Sequence, residues 1–177
     1  MKNEILTLLP EIDKIRDKNL RALTLTVWTD AVARGGWTLD DLAVMPFTLL
    51  IKKVKVSLIE HTRAVTQTSV QIAEVLNVTY AGKMSVNIDT LLAGAILHDV
   101  GKLFEYKKEG GAFVKSREGE LLRHPISGAA FAFKYGVPGD IVHIIAAHSK
   151  EGDGGRRTVE AVIVNHADFV NFDVFKE

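Results

Sequence analysis

Apolar positions recur at three- and four-residue steps along most of the chain, a period that predicts helices. From Pro10, which suits a first helical turn, the stripe Ile12, Ile15, Leu20, Leu23, Val27 and Ala31 predicts one helix. Arg34-Gly35-Gly36 ends it, because glycine accepts the left-handed cap conformation. Thr38, Asp40 and Asp41 are caps for a short second helix. After Pro46 comes the longest periodic segment: Phe47, Leu50, Ile51, Val54, Leu58, His61, Val65, Thr68, Ile72 and Leu76. It reads as one long helix, or as two with a break near Ser57, and it sets His61 on the apolar face.

A further helix runs from about Asn87 through Leu91, Leu92, Ala95 and Ile96 to His98-Asp99, and Gly101 stops it. The period then changes. FEYKKEGGAFVKS (104–116) holds two short alternating runs around Glu109-Gly110-Gly111, the pattern of a β-hairpin. Pro125 opens the next helix with His124 as its cap, and Gly136 ends it. Pro138 and Asp140 open another, and Gly152–Gly155 reads as a loop. The last helix starts near Thr158, whose capping box to Ala161 lacks the usual acidic partner, and runs to Val170. No repeat or linker interrupts the pattern. The expected fold is all-α, a single helical domain with a small β-hairpin insertion.

Composition narrows the chemistry more than the fold. Acidic and basic residues balance at 22 each, which weighs against a non-specific nucleic-acid binder. Cysteine is absent, so disulfides and thiolate metal sites are excluded and any metal must sit among nitrogen and oxygen ligands. The run LAVMPFTLLI (42–51) is too short to span a bilayer and contains a proline. MKNEILTLLPEIDK has an early Glu4 and only a brief apolar stretch, unlike a signal peptide, so a cytoplasmic protein is expected.

The histidines change the picture. Any one of the six could be a structural core or surface residue. Together, His61 lies mid-helix on an apolar face, His98-Asp99 closes an apolar helix, His124 starts one and His148 ends another. Asp168 shares a face with Val164 and Ala161, which turns its carboxylate inward. Imidazoles and carboxylates on inward faces are mutually explained if they converge on a divalent metal, with Fe, Mn, Zn or Ni better suited than Ca. His143 stands five residues before His148 and His166 two before Asp168, so both face elsewhere and read as structural or surface residues.

The series His61, His98-Asp99, His124, His148, Asp168 resembles the HD-domain metal-dependent phosphohydrolase superfamily, over about residues 55–172. EHTRAVTQTSVQIAEVL resembles its first histidine helix and AGAILHDVGK its signature segment. RHPISGAAFAFKYGVP and IIAAHSKEG resemble the third- and fourth-histidine segments of the ribonuclease Y-type and diadenosine-tetraphosphatase-type branches, and VEAVIVNHADFV the stretch with the terminal aspartate. The resemblance implies a helical HD-domain bundle over residues 55–177, preceded by a helical extension over 1–54 that packs on it or mediates homodimer contacts. It implies a basic metal site of His61, His98, Asp99 and Asp168. His124 and His148 match the extra ligands of two-metal branches, with Asp99 as the bridge.

The implied activity is hydrolysis of a phosphate monoester or diester, of nucleotide or cyclic phosphodiester type, by a metal-activated water. Asp99 is the residue whose loss would abolish metal binding and turnover. Lys102 either contacts a substrate phosphate or is merely a cation near a helix C-terminus. Arg123, Lys150, Arg156 and Arg157 are weaker candidates for the same contact, or solvated surface charges. Val100-Gly101-Lys102 replaces the acidic pair of the alarmone hydrolases, and the GYP signature of cyclic-dinucleotide phosphodiesterases is absent. The 177 residues contain none of the membrane helix, coiled coil or nucleic-acid module of ribonuclease Y, which leaves a small phosphorylated substrate as the expected partner and RNA as a minor one. The alternatives are a di-iron oxygenase of the same superfamily and a non-catalytic binding module.

Overall fold

Capping side chains start most of the α-helices in the computed structural model, which describes residues 1–51 and 55–176. The chain begins with α1 (Lys2–Leu8), a 3-10 turn (Pro10–Lys14) and α2 (Lys18–Gly35). The single helix expected from Pro10 is therefore two elements. Asp17 starts the second by accepting the N–H groups of Asn19 and Leu20. The extended joint is held by the Asp89 carboxylate, which accepts the Arg16 and Asp17 N–H groups at 2.9 and 2.8 Å. Gly36 ends α2 at φ +71°, a conformation that favours glycine. In α3 (Leu39–Val44), Thr38 and Asp41 form a reciprocal capping box.

Between α3 and α4 (Leu58–Thr79) the periodic reading fails in an informative way. The apolar phase continues from Phe47, but the described residues before Ser57 are not helical; Val54 lies outside the described residues. The Phe47 N–H donates to the Val56 carbonyl, and Pro46 pairs with Ser57 as an isolated bridge. Ser57 then caps α4 by accepting the Glu60 N–H, while Glu60 returns a carboxylate oxygen to the Ser57 N–H. Phe47 is buried all the same, so the spacing reports burial in a loop and not helical phase.

The centre of the fold is α5 (Ile88–Leu97), capped by Asn87. Every residue from Leu91 to Leu97 is buried, since α5 packs against α4, α2 and the 3-10 turn. Then follow α6 (Lys102–Glu105), the hairpin β1 (Tyr106–Glu109) and β2 (Ala112–Lys115), α7 (Arg117–Leu121), α8 (His124–Lys134), α9 (Gly139–Ala147) and α10 (Val159–Asp173). The strands pair antiparallel from Tyr106–Lys115 to Glu109–Ala112, and Gly110-Gly111 closes them with two positive φ angles. Helices α9 and α10 complete the packing around α5.

One core joins Ile5, Ile12, Val27 and Trp28 of the N-terminal segment to Leu92, Ile96 and Leu97. A second joins Val65 and Ala73 of α4 to Leu91, Ala95, Ile144 and Val164. A side chain at Gly94 would overlap Ile144, so α5 and α9 approach closely. The ends of α5 and α9 consequently lie near each other, and each is followed directly by a histidine. No helix among the described residues is long and apolar enough to cross a membrane.

Candidate metal centre

His98 and Asp99 follow the last turn of α5, and His148 follows the last turn of α9. Both imidazoles are fully buried, and each is oriented by its own helix end. His98 Nδ1 lies 2.6 Å from the Ala95 carbonyl and His148 Nδ1 lies 2.8 Å from the Ile145 carbonyl. A carbonyl can only accept, so each Nδ1 carries a proton, and in the neutral form of the ring Nε2 is bare. The His148 turn is pinned further: Asn165 donates to the His148 carbonyl at 2.6 Å, and Arg157 donates to the carbonyls of Ala147 and Ser149.

His124 was expected to cap α8 but is its first helical residue, with Arg123 as the cap. Its main-chain N–H is taken by a side chain from another element. Glu105 Oε2 accepts both that N–H, at 3.1 Å, and Nδ1–H, at 2.6 Å. Glu105 carries no periodic signal and was not picked out from the sequence; its one cue is an acid inside the apolar stretch LFEY ahead of the hairpin. Asn165 likewise gives no signal of its own, and Phe47 reads from the sequence only as an apolar position of the periodic segment.

Asp99 lies at the centre. Its Oδ1 faces His124 Nε2 at 3.1 Å and His148 Nε2 at 3.6 Å. Its Oδ2 faces His98 Nε2 at 3.3 Å and His61 Nε2 at 3.6 Å. Asp168, on α10, reaches His61 Nε2 at 3.0 Å, and the His61 ring stacks on Phe47. His61, His98 and Asp99 form one group whose ligand atoms could hold an ion, and Asp99, His124 and His148 form another. Of the other histidines, His166 is exposed and His143 accepts the N–H of Thr158, the cap of α10, so neither joins the cluster.

The donor set fits cations. Asp99 Oδ1 and His98 Nε2 are buried without a hydrogen-bond partner, an expensive condition for polar atoms. His124 Nε2 and His148 Nε2 are 3.3 Å apart, although both rings spend their proton at Nδ1. Two facing lone pairs beside a carboxylate repel unless positive charge lies among them. For His61 and His148 the titration directions agree. Burial is the largest influence on His61 and His148 and lowers both below the usual histidine value, which keeps them neutral ligands. Burial opposes charge on His98 too, but Asp99 outweighs it and raises the pKa. Burial would raise the Asp99 pKa, yet Lys102 and His98 hold it well below the usual value. Burial also acts against ionised Asp168, and its hydrogen bond with His61 reverses that.

Lys102 is buried, and its ammonium is committed to Asp99 Oδ2 at 2.6 Å and the Phe47 carbonyl at 2.5 Å. It is thus a counter-ion of the central carboxylate, whereas the sequence offered only a helix-end cation or a phosphate contact. Lys102, His124 and Asp168 line the floor of a cavity of about 610 Å³. Leu49, Ile51, Phe169 and Phe172 form apolar walls, and Lys115, Arg123, Lys150 and Lys176 add positive charge beside the carboxylates of Glu105 and Glu151. Of the arginines and lysine considered earlier, Arg123 and Lys150 reach this cavity, while Arg157 is engaged with main-chain carbonyls behind His148.

The chain has relatives among known proteins. The chain is 36% identical over 113 residues to dihydroneopterin 2',3'-cyclic phosphate phosphodiesterase of Methanocaldococcus jannaschii, covering 63% of this chain and 44% of that one. It is 33% identical over 91 residues to ribonuclease Y of Acidothermus cellulolyticus, covering 51% and 16%. Over 104 residues it is 33% identical to ribonuclease Y of Syntrophotalea carbinolica, covering 59% and 17%. The chain thus spans less than half the length of each of these relatives. No solved structure matches it. Residues 58–171 match the family model of the HD domain, and the chain belongs to that family, whose members bind divalent metals.

Proposed function

We propose that this protein is a metal-dependent phosphohydrolase acting on a small phosphodiester or phosphate monoester of nucleotide or cyclic phosphate type, with two ions of Fe, Mn, Zn or Ni at one centre. The observation that carries the reading is the placement of Asp99, each of whose oxygens addresses a different pair of imidazoles. His61, His98, Asp99 and Asp168 would hold one ion; Asp99, His124 and His148 would hold the other. Bound there, divalent ions supply Lewis acidity that polarises a phosphoryl oxygen and lowers the pKa of water.

The chain's own residues do the rest. Lys102 keeps Asp99 ionised and turned toward the imidazoles, and its place on the cavity floor lets it offer charge to a phosphoryl oxygen. Arg123 and Lys150 favour an anionic substrate. The apolar walls take up the organic part and exclude water, and the cavity volume is in the range of small-molecule sites, about 300–1,000 Å³. The Methanocaldococcus relative is named for a cyclic phosphodiester, which supports that ester class here. We further propose that residues 1–54 are an extension supporting α5, with homodimer contacts as a second role, and that the protein works in the cytoplasm.

The test is phosphodiester hydrolysis by full-length chain stripped with chelator and reloaded with manganese or iron. Metal-dependent cleavage of a 2',3'-cyclic nucleotide or a chromogenic diester is expected. Abundant iron, a requirement for oxygen and no ester cleavage would overturn the reading in favour of an oxygenase.

A further inference from the structure

Three imidazoles of the centre have their Nδ1–H groups anchored, but not by equal partners. His98 and His148 are held by neutral carbonyls of their own helices. His124 is held by a carboxylate. Glu105 is buried, accepts two hydrogen bonds from His124, and has Lys115 at 3.7 Å and Arg123 at 3.9 Å from its other oxygen. It is also enclosed from the far side: a Cβ at Gly119 would overlap the Glu105 carbonyl, so α7 closes against it. The site thus spends a buried anion on one histidine.

We infer that Glu105 is a positioning residue that selectively strengthens the His124–His148 side of the centre for a divalent cation. The inference rests on the two-ion reading above. A carboxylate on Nδ1–H fixes the tautomer, aims Nε2 and makes that nitrogen more basic, and loss of such a partner weakens metal affinity by about 10- to 100-fold. Glu105 also lines the cavity beside Lys115 and Arg123, but among the imidazoles it bonds only His124, so its effect on the ligands is confined to one ion. Lys115 and Arg123 prevent it from turning away, which ties the hairpin and the start of α8 to the metal centre.

The experiment is manganese titration of chelator-treated full-length chain by calorimetry, in wild type, Glu105→Gln and Glu105→Asp, with imidazole 15N chemical shifts read on the ion-free proteins. Glu105→Gln should weaken one of two binding steps by about 10- to 100-fold, leave the other unchanged, and raise the Nε2–H tautomer of His124. Glu105→Asp should restore part of the loss, since it keeps the charge. Two unchanged steps in Glu105→Gln, or equal weakening of both, overturns the inference while leaving the two-ion reading intact. A wild-type chain that takes up a single ion overturns that reading and this inference with it.

Discussion

Trp28 donates its indole N–H to the Ile96 carbonyl at 2.9 Å, reaching from α2 to the last turn of α5, two residues before His98. Trp37 does the same for the Leu103 carbonyl at 2.8 Å. The two indoles therefore bracket the segment that carries His98, Asp99 and Lys102, and both belong to the N-terminal part outside the HD-domain match. The N-terminal part reaches the candidate metal centre through indole hydrogen bonds to main-chain carbonyls as well as through apolar contact.

Trp28→Phe keeps most of the packing and leaves the buried Ile96 carbonyl without its donor. A loss of about 1–3 kcal/mol is expected, the cost of an unsatisfied buried polar group. Urea denaturation checks it, and a midpoint equal to that of wild type would show that the bond contributes nothing.

The role proposed for Asp99 separates it from every other ligand. Asp99→Asn should remove both ions and all turnover, because one carboxylate serves both sides. Alanine at His124 or His148 should halve the metal content and leave the helical circular dichroism unchanged. Plasma emission analysis of protein purified with added manganese counts the ions. Full metal content in either alanine variant would make those histidines structural and end the two-ion assignment.

Gly101 is required by proximity. A Cβ there would overlap the His124 carbonyl and crowd the Gly128 nitrogen, so α8 rests directly on the backbone that follows Asp99. Gly101→Ala should cost about 1–3 kcal/mol through overpacking and should shift His124 relative to Asp99. Thermal unfolding and metal content should both report it; a variant as stable as wild type would mean the two segments separate freely.

The capping box ahead of His61 gives a pH dependence with a definite sign. Hydrogen bonds from Ser57, main chain first and hydroxyl second, lower the Glu60 pKa below its ordinary 4.5. A carboxyl whose folded pKa is depressed contributes stability above the unfolded value and loses it as pH falls through the folded one. The stability advantage of wild type over Glu60→Gln should therefore be complete above pH 4.5 and shrink below it. Denaturant midpoints of both proteins across that range test this, and a constant difference would refute it.

The helices with clear caps and long apolar stripes were legible in the sequence, because a cap and a 3.6-residue period are local properties. Asp99, Asp168 and the four clustered histidines were legible as a set through their order along the chain. The failures have physical causes. The stripe from Ile12 to Ala31 runs through a break at Asp17, since a side chain that caps a new helix can leave the spacing of buried residues undisturbed. Phe47 kept helical phase inside a loop because burial, not backbone conformation, places apolar residues.

Local chemistry thus established the helical class and the hairpin, and the order of the motifs supplied the roster of candidate metal ligands. Pairing belonged to the tertiary fold. His61 and Asp168 are 107 residues apart in the chain and meet at 3.0 Å because α4 and α10 both pack on α5. The division of Asp99 between two imidazole pairs, the withdrawal of Lys102 into an ion pair and the hold of Glu105 on His124 depend on where helix ends converge. No period or motif in one segment encodes the distance to an atom supplied by another.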